Sequence, residues 1–378
     1  TVYVASRDGN VYAVNSSDGT EEWRFYTDRS SKPAHSGRTS SPAVVNGTVY
    51  IGSSDGNLYA LDASDGTEEW RFKTGDAVES SPTVVGETVY VGSSDSTVYA
   101  LNASSGAEVW KFETGDDVDS SPTVVDGTVY IGSSDGNLYA LDASDGTEEW
   151  RFEAGDAVDS SPTVVDGIVY FGAGVGSTNG AVYALSASDG TEEWSFETGD
   201  DVISSPTFAG GTVYVPYIHS LRALDASDGS ERWSFRTVNT VSSSPTVAGG
   251  TVYFGSSDGS LYAVDASEGS KKWHETVGSV RSSPTVVNGT VYVGSGDGNL
   301  YAVNTNHSES SEGSRVLLGT LGHHDVFAEQ GPTQPAGGTV YAPPEEETSS
   351  RLLVYGFFAV VLAVAAVIVV RRKQNRET

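Results

Sequence analysis

The chain has 378 residues, of which 51 are Asp or Glu and 21 are Lys or Arg, so its formal net charge is −30. It contains no cysteine, which excludes disulfide bonds, thiolate metal sites and cysteine nucleophiles. The acidity argues against nucleic acid as a partner of the folded body and is typical of a surface adapted to concentrated salt.

The N-terminal end of the chain starts within a repeating pattern. Thr1–Val4 match the middle of a repeat that recurs further along, and the sequence contains no Met. We therefore expect that this end is processed or incomplete.

One unit of about forty residues then recurs along the chain. Its clearest copy runs from Ser120 to Phe152 and contains four short runs rich in β-branched and aromatic residues. Asp-Gly turns separate these runs, and such turns between apolar runs are a strong signal for β-hairpins. Each copy also holds one tryptophan, and the seven are Trp23, Trp70, Trp110, Trp150, Trp194, Trp233 and Trp273.

Four strands in every forty residues predict an all-β fold, a β-propeller of four-stranded antiparallel blades. Counting partial copies at both ends favours eight blades, with seven as the alternative. Val316–Leu321 would supply the fourth strand of the last blade. Gly331–Tyr341, which resembles the start of a repeat, would supply the first strand of the N-terminal blade and close the ring. Residues 1–342 then form the propeller.

The C-terminal end predicts a membrane anchor. Residues 343–350 form an acidic stalk, and Leu352–Val370 contain no charge over 19 residues, about 28 Å of helix at roughly 1.5 Å per residue. We predict a transmembrane helix over 351–371 and a basic cytoplasmic tail over 372–378. Because positive charge stays in the cytoplasm, the propeller would lie outside the cell membrane.

The repeat resembles a known family at Ala60–Trp70, where Ala, Asp, a Gly turn and a Trp follow one another. This pattern is similar to the tryptophan-docking repeat of the PQQ quinoproteins, and it covers about four-fifths of the chain. The resemblance implies that each tryptophan packs between neighbouring blades. We therefore assign all seven to structure.

The resemblance implies two alternative functions, catalysis with a quinone cofactor or the binding of protein partners. Some members of the family are PQQ-dependent alcohol or sugar dehydrogenases, whereas the scaffold lipoprotein of outer-membrane barrel assembly binds protein partners without a cofactor. This chain lacks the vicinal cysteines and the long blade insertions of the dehydrogenases. We expect no cofactor, with PQQ and calcium as the alternative.

Departures from the repeat mark candidate ligand-binding residues. The first loop between blades is longer and contains Arg29, Lys32, His35 and Arg38. A second loop is extended through Gly174–Gly180. A third departure replaces the usual Gly-Ser-Ser-Asp-Gly with a segment containing Tyr217 and His219. Loops between blades and loops joining strands two and three share one rim, so all three departures are expected on one face.

The residues before the innermost strands provide further candidates near the mouth of the channel. They include Glu79, Asp119 and Asp159, which could hold a cation or a basic group, and Arg281 on the opposite side. An acidic surface that happens to include the mouth is the alternative explanation.

These observations predict a membrane-anchored, extracytoplasmic propeller that binds a protein or a carbohydrate-like ligand at one rim without catalysis. A PQQ-dependent dehydrogenase and a purely structural cell-surface protein are the two alternatives.

Overall fold

The computed structural model describes residues 1–27, 40–174, 180–202, 204–305 and 367–369. All regular structure in these ranges is β-strand, arranged in eight separate antiparallel sheets. We number them blades 1 to 8 in chain order. The predicted eight-bladed propeller is therefore confirmed.

Blades 2 to 8 have four strands each, in chain order from the inner to the outer edge, and blade 1 has three strands among the described residues. The strands of blades 1 to 4 are β1 (Val2–Ala5), β2 (Asn10–Val14), β3 (Glu21–Tyr26); β4 (Ala43–Val45), β5 (Thr48–Ser53), β6 (Asn57–Asp62), β7 (Glu68–Lys73); β8 (Thr83–Val85), β9 (Thr88–Ser93), β10 (Thr97–Asn102), β11 (Glu108–Glu113); β12 (Thr123–Val125), β13 (Thr128–Gly132), β14 (Asn137–Asp142), β15 (Glu148–Glu153). The strands of blades 5 to 8 are β16 (Thr163–Val165), β17 (Ile168–Ala173), β18 (Ala181–Ser186), β19 (Glu192–Glu197); β20 (Thr207–Ala209), β21 (Thr212–Tyr217), β22 (Ser220–Asp225), β23 (Glu231–Arg236); β24 (Thr246–Ala248), β25 (Thr251–Gly255), β26 (Ser260–Asp265), β27 (Lys271–Thr276); β28 (Thr285–Val287), β29 (Thr290–Gly294), β30 (Leu300–Asn304), β31 (Val367–Val369).

Turn chemistry sets the register of the hairpins. Between β4 and β5, Asn46 and Gly47 have φ values of 51° and 82°, as the two central residues of a type I′ turn require. Between the third and fourth strands, the pairing shifts by one residue after the alanine of the repeat. In blade 2, Ala60 lies opposite Trp70 but Leu61 lies opposite Glu68. This bulge aims the tryptophan towards the next blade.

Tryptophan docking joins one blade to the next. Trp70 donates a hydrogen bond from Nε1 to the carbonyl oxygen of Ala103 in blade 3 at 2.9 Å. Its ring lies 5.8 Å from the ring of Tyr50 and packs on Gly106. Equivalent indole hydrogen bonds join Trp23 to Ala63, Trp110 to Ala143, Trp150 to Ala187, Trp194 to Ala226 and Trp233 to Ala266.

The junction between blades 8 and 1 differs from the others. Trp273 packs into the apolar core between blades 7 and 8, so the seven tryptophans of the chain are all used before the ring closes. A narrow cleft lies where an eighth would dock, lined by Val2 and Gly19 of blade 1 and by Tyr292 and Ala302 of blade 8. The first and last blades therefore adjoin each other.

The fourth strand of blade 8 differs from the sequence-based expectation. In the structure it is Val367–Val369, which pairs with β30 and places Ile368 opposite Ala302. Val316–Leu321 and Gly331–Tyr341 lie outside the described residues. A Val-Ile-Val run suits a strand as well as an apolar helix, so the sequence pattern could not separate the two.

The membrane anchor stays a prediction. Apart from Val367–Val369, the segment 351–371 lies outside the described residues, as do the stalk and the basic tail. No helix with the length and apolar character needed to cross a bilayer occurs in the described part of the chain.

Candidate binding rim

The rim of interest is formed by two sets of turns, which we call the loop rim. One set joins the second and third strands of each blade, and the other joins one blade to the next. In blade 2 the two sets are tied together, because Thr74 N–H donates to Gly56 O at 2.9 Å and Val78 N–H donates to Ser53 O at 3.0 Å. In blade 6, Thr237 N–H likewise donates to His219 O at 3.0 Å. The two turn sets therefore share one face.

A series of serines just before the first strands of the blades forms hydrogen bonds from one blade to the next, which we call the serine relay. The hydroxyl of Ser161 accepts a hydrogen bond from the backbone N–H of Ser121 in the preceding blade at 3.0 Å. The same bond joins Ser41 to Ser81, Ser81 to Ser121, Ser161 to Ser205, Ser205 to Ser244 and Ser244 to Ser283. The inner polar groups of these blades thus bond to one another.

The three acids at the channel mouth lie within electrostatic range of one another. Asp119 accepts a hydrogen bond from the Ser94 hydroxyl at 3.0 Å, and Asp159 accepts one from Ser134 at 2.8 Å. Burial raises the pKa of Asp119 to about 6, with smaller contributions from the charges of Glu79 and Asp159, although the Ser94 bond opposes this. Burial also raises the pKa of Asp159. Arg281 is exposed and forms no ion pair with another described residue.

The described residues do not provide the donor set that calcium and PQQ would need. Calcium takes six to eight oxygen ligands, several of them carboxylates. In the described ranges, no three side chains of His, Asp or Glu are close enough to share a metal ion. Asp119 and Asp159 each bind a serine of the adjoining blade instead.

A polar groove of about 610 Å³ lies further out, between blades 3 and 4. Asp135 lines it, but both hydrogen bonds of its Oδ2 are internal: Gly115 N–H donates at 2.7 Å and the Tyr139 hydroxyl at 2.6 Å. Asp95 makes the same pair of bonds to Gly75 and Tyr99 between blades 2 and 3. The groove is thus formed by residues that the repeat places at other blade junctions too, so it is not a special feature of blades 3 and 4.

Blade 6 departs from the repeat in a coordinated way. In six of the other blades a third-strand tyrosine donates to the turn aspartate, as Tyr59 does to Asp55 at 2.6 Å. In blade 6 the third-strand residue is Arg222, whose guanidinium donates to the hydroxyl of the turn residue Tyr217.

The Arg222 side chain is packed tightly in this position. Its guanidinium carbon lies 4.5 Å from the ring centroid of Tyr217 and 5.1 Å from that of Phe196 in blade 5. It also forms an ion pair with Glu231 at 3.0 Å. Its Nε is buried and has no hydrogen-bond partner among the described residues. Arg222 therefore fixes Tyr217 on the rim.

Of the remaining candidate residues, the structure describes His219 but little of the two extended loops. His219 is exposed beside the half-buried Tyr217. The basic loop with Arg29, Lys32, His35 and Arg38 lies outside the described residues, as does most of Gly174–Gly180.

Two residues at blade 6 escaped the sequence analysis, namely Arg222 and Val238. Val238 is 89% exposed and occupies the place of Gly75 or Gly115 in the turn between blades. Both could have been found by aligning the copies position by position, since every other copy has Tyr at the position of Arg222 and five copies have Gly at the position of Val238.

The fold and its docking tryptophans define an eight-bladed propeller of quinoprotein-type repeats. A family model described as outer membrane protein assembly factor BamB matches residues 7–118, 94–217 and 202–312, and the chain belongs to that family. No curated protein matched the sequence.

Solved structures share the fold at low sequence identity. BamB from Moraxella catarrhalis is 23% identical with a TM-score of 0.65, over 78% of this chain and 91% of that one. The computationally designed Ika8 protein is 15% identical with a TM-score of 0.69, over 82% and 92% of the two chains. A europium-containing methanol dehydrogenase is 16% identical with a TM-score of 0.66, over 81% of each chain. At these identities the likeness shows the fold alone.

Proposed function

We propose that the protein is a non-catalytic binding platform that holds a protein or a glycan at the loop rim. The observation that carries the proposal is the contrast between the inner strands and the rim turns. The polar groups of the inner strands bond to one another from blade to blade, whereas the departures from the repeat lie in the rim turns. Rigid scaffolds commonly place binding residues on such loops.

The family supports this proposal. The matching family model carries the description of an assembly factor, and the M. catarrhalis structure is of a BamB protein. Both descriptions fit a platform for other proteins better than an oxidoreductase. The dehydrogenase alternative is supported by fold likeness only, at 16% to 19% identity.

We further propose that the platform lies outside the cell membrane and is held there by the C-terminal segment. The support is the uncharged run Leu352–Val370 followed by Arg371, Arg372 and Lys373. In the anchored protein Val367–Val369 would lie in the membrane helix instead of pairing with β30, and β30 would be the outer strand of blade 8. Labelling of intact cells with a membrane-impermeant amine reagent tests this topology. Modification of propeller lysines, with Lys373 protected until the cells are opened, is the expected result; the reverse pattern would contradict it.

Calorimetric titration of the full-length protein with PQQ and calcium tests the absence of a quinone function. The experiment is done in high salt, with calcium alone as the control. We expect no saturable heat that depends on PQQ. Tight stoichiometric binding of PQQ would contradict the proposal and make the channel-mouth carboxylates candidate ligands.

A further inference from the structure

Blade 6 is the one place on the ring where the described rim turns lose their acidic residues. Its two rim turns, 217–219 and 237–240, contain no Asp or Glu. The other seven blades each carry an aspartate in at least one rim turn: Asp8, Asp55, Asp95, Asp135, Asp200, Asp258 and Asp297. On a chain with a net charge of −30, this is a local change in the character of the surface.

Apolar and basic side chains replace these acids. We call Tyr217, Ile218, His219, Arg236 and Val238 the blade 6 patch. Val238 is 89% exposed, far more than Tyr26 at 50% or Val109 at 53%, the next most exposed large apolar residues among those described. Tyr217 and Ile218 are half-buried, and His219 and Arg236 are exposed.

The patch is held together by its backbone. Thr237 N–H donates to His219 O at 3.0 Å, and Val241 N–H donates to Ile218 O at 3.2 Å. The ring of Tyr217 is fixed from beneath by Arg222. A surface with its side chains already positioned loses little conformational entropy when a partner binds.

The charge of the patch indicates which partner it suits. Arg236 stands at the register position that Glu113 and Glu153 occupy in blades 3 and 4, opposite the first residue of the third strand. It forms no ion pair with another described residue, so its guanidinium can pair with a carboxylate from outside. Elsewhere on the rim, an approaching carboxylate meets aspartates of like charge.

We propose that the blade 6 patch binds a protein segment in which a large apolar side chain lies next to a carboxylate. The apolar side chain covers Val238 and Ile218 and packs against the Tyr217 ring. The carboxylate pairs with Arg236, beside His219. This inference rests on the proposed function, because it assigns a site and a partner chemistry to the platform.

Fluorescence anisotropy with three labelled peptides tests the proposal on the full-length protein. The peptide GLEFEG carries both features, GLKFKG reverses the charge, and GSESEG removes the apolar side chains. We expect saturable binding of GLEFEG at the lowest salt concentration at which thermal unfolding shows the protein to be folded, at least tenfold weaker binding of GLKFKG, and none of GSESEG.

Variants locate the binding. The double variant Arg236→Glu/Val238→Gly restores residues that other blades carry at these positions, so folding should be kept, as its thermal unfolding would show. We expect it to weaken GLEFEG binding at least tenfold. The matched control Glu153→Arg places the same charge on blade 4, where Gly155 stands in the place of Val238, and should leave binding unchanged.

Several results would overturn the proposal: preference for GLKFKG, equal binding by the double variant, or no binding of any peptide. Binding of glycans on an array by wild type and double variant alike would overturn the patch and leave the platform function standing. PQQ-dependent turnover, in contrast, would overturn the platform function itself.

Discussion

The indole ring of Trp110 lies directly on Gly146 of the next blade, so that a Cβ atom added at Gly146 would stand 2.6 Å from the ring atom Cε3. Gly146 also has φ of +75°, a conformation that other residues adopt at a cost. The pair explains why each repeat needs Gly at this position, because the Gly of one blade contacts the Trp of the blade before it.

Gly146→Ala should therefore destabilise the propeller by about 2–5 kcal/mol, from backbone strain and from the displaced indole. Gly127→Ala is the matched control, because its φ is +88° but no atom lies within 4 Å of the added methyl group. It should cost about 1–2 kcal/mol. Denaturant unfolding of both variants measures the difference, and equal losses would contradict tryptophan docking on Gly146.

Trp150 tests how much docking contributes through burial and how much through its hydrogen bond. Trp150→Ala should cost about 3–5 kcal/mol, as for other large core deletions. Trp150→Phe keeps a ring but loses the 3.0 Å bond to the Ala187 carbonyl, and should cost about 1–2 kcal/mol. Thermal and denaturant unfolding give both values. Val109→Ala, at a site that is 53% exposed, should change stability by less than about 0.5 kcal/mol.

Ser161 tests the serine relay. Its hydroxyl is the acceptor for the Ser121 N–H, and both residues are buried. Ser161→Ala leaves that N–H without its acceptor and should cost about 1–3 kcal/mol of unfolding free energy. Ser188→Ala, on an exposed outer turn, serves as the control and should have little effect. A Ser161 variant as stable as the control would show that the relay does not stabilise the ring.

Asp119 predicts a dependence of stability on pH. Because burial raises its pKa from 3.8 to about 6, the folded protein holds the proton more tightly than the unfolded chain does. Its favourable contribution is complete below pH 3.8 and is lost as the pH rises through about 6. Asp119→Asn should therefore raise stability at pH 7.5, by roughly 1–3 kcal/mol, and bring no gain at pH 3.5.

The opposite sign is expected at Asp142. The hydroxyl and backbone N–H of Ser144 lower the pKa of this exposed carboxyl, so Asp142→Asn should lose stability above pH 4 rather than gain it. Unfolding of both variants is followed from pH 3.5 to 7.5 at one fixed salt concentration. A gain for Asp142→Asn, or none for Asp119→Asn at pH 7.5, would contradict these assignments.

The strands and turns of the blades could be predicted because each follows from local chemistry. Positive φ at Asn46 and Gly47 needs the Asn-Gly pair, and the alternating strands around it need β-branched and aromatic residues. The blade number needed the structure, since the partial repeats at both ends permit seven or eight. The cleft shared by Gly19 and Tyr292 shows the first and last blades side by side.

The candidate site could be predicted only in part. Tyr217 and His219 were visible because they interrupt the Ser-Asp-Gly turn, which is a change in local sequence. The role of Arg222 depends on contacts with Phe196 of another blade, and the exposure of Val238 depends on how two turns meet. Aligning the copies would show Arg222 and Val238 as departures from the repeat, but the contacts across elements that give them a role are visible only in the structure.

We propose that this propeller binds a partner and does not oxidise a substrate. A dye-linked assay of alcohol and sugar oxidation tests it most directly, using full-length protein incubated with PQQ and calcium in high salt. We predict no turnover above that of PQQ and calcium alone. Turnover that requires the protein and falls in the Asp119→Asn and Asp159→Asn variants would contradict the account and make the channel mouth a catalytic site.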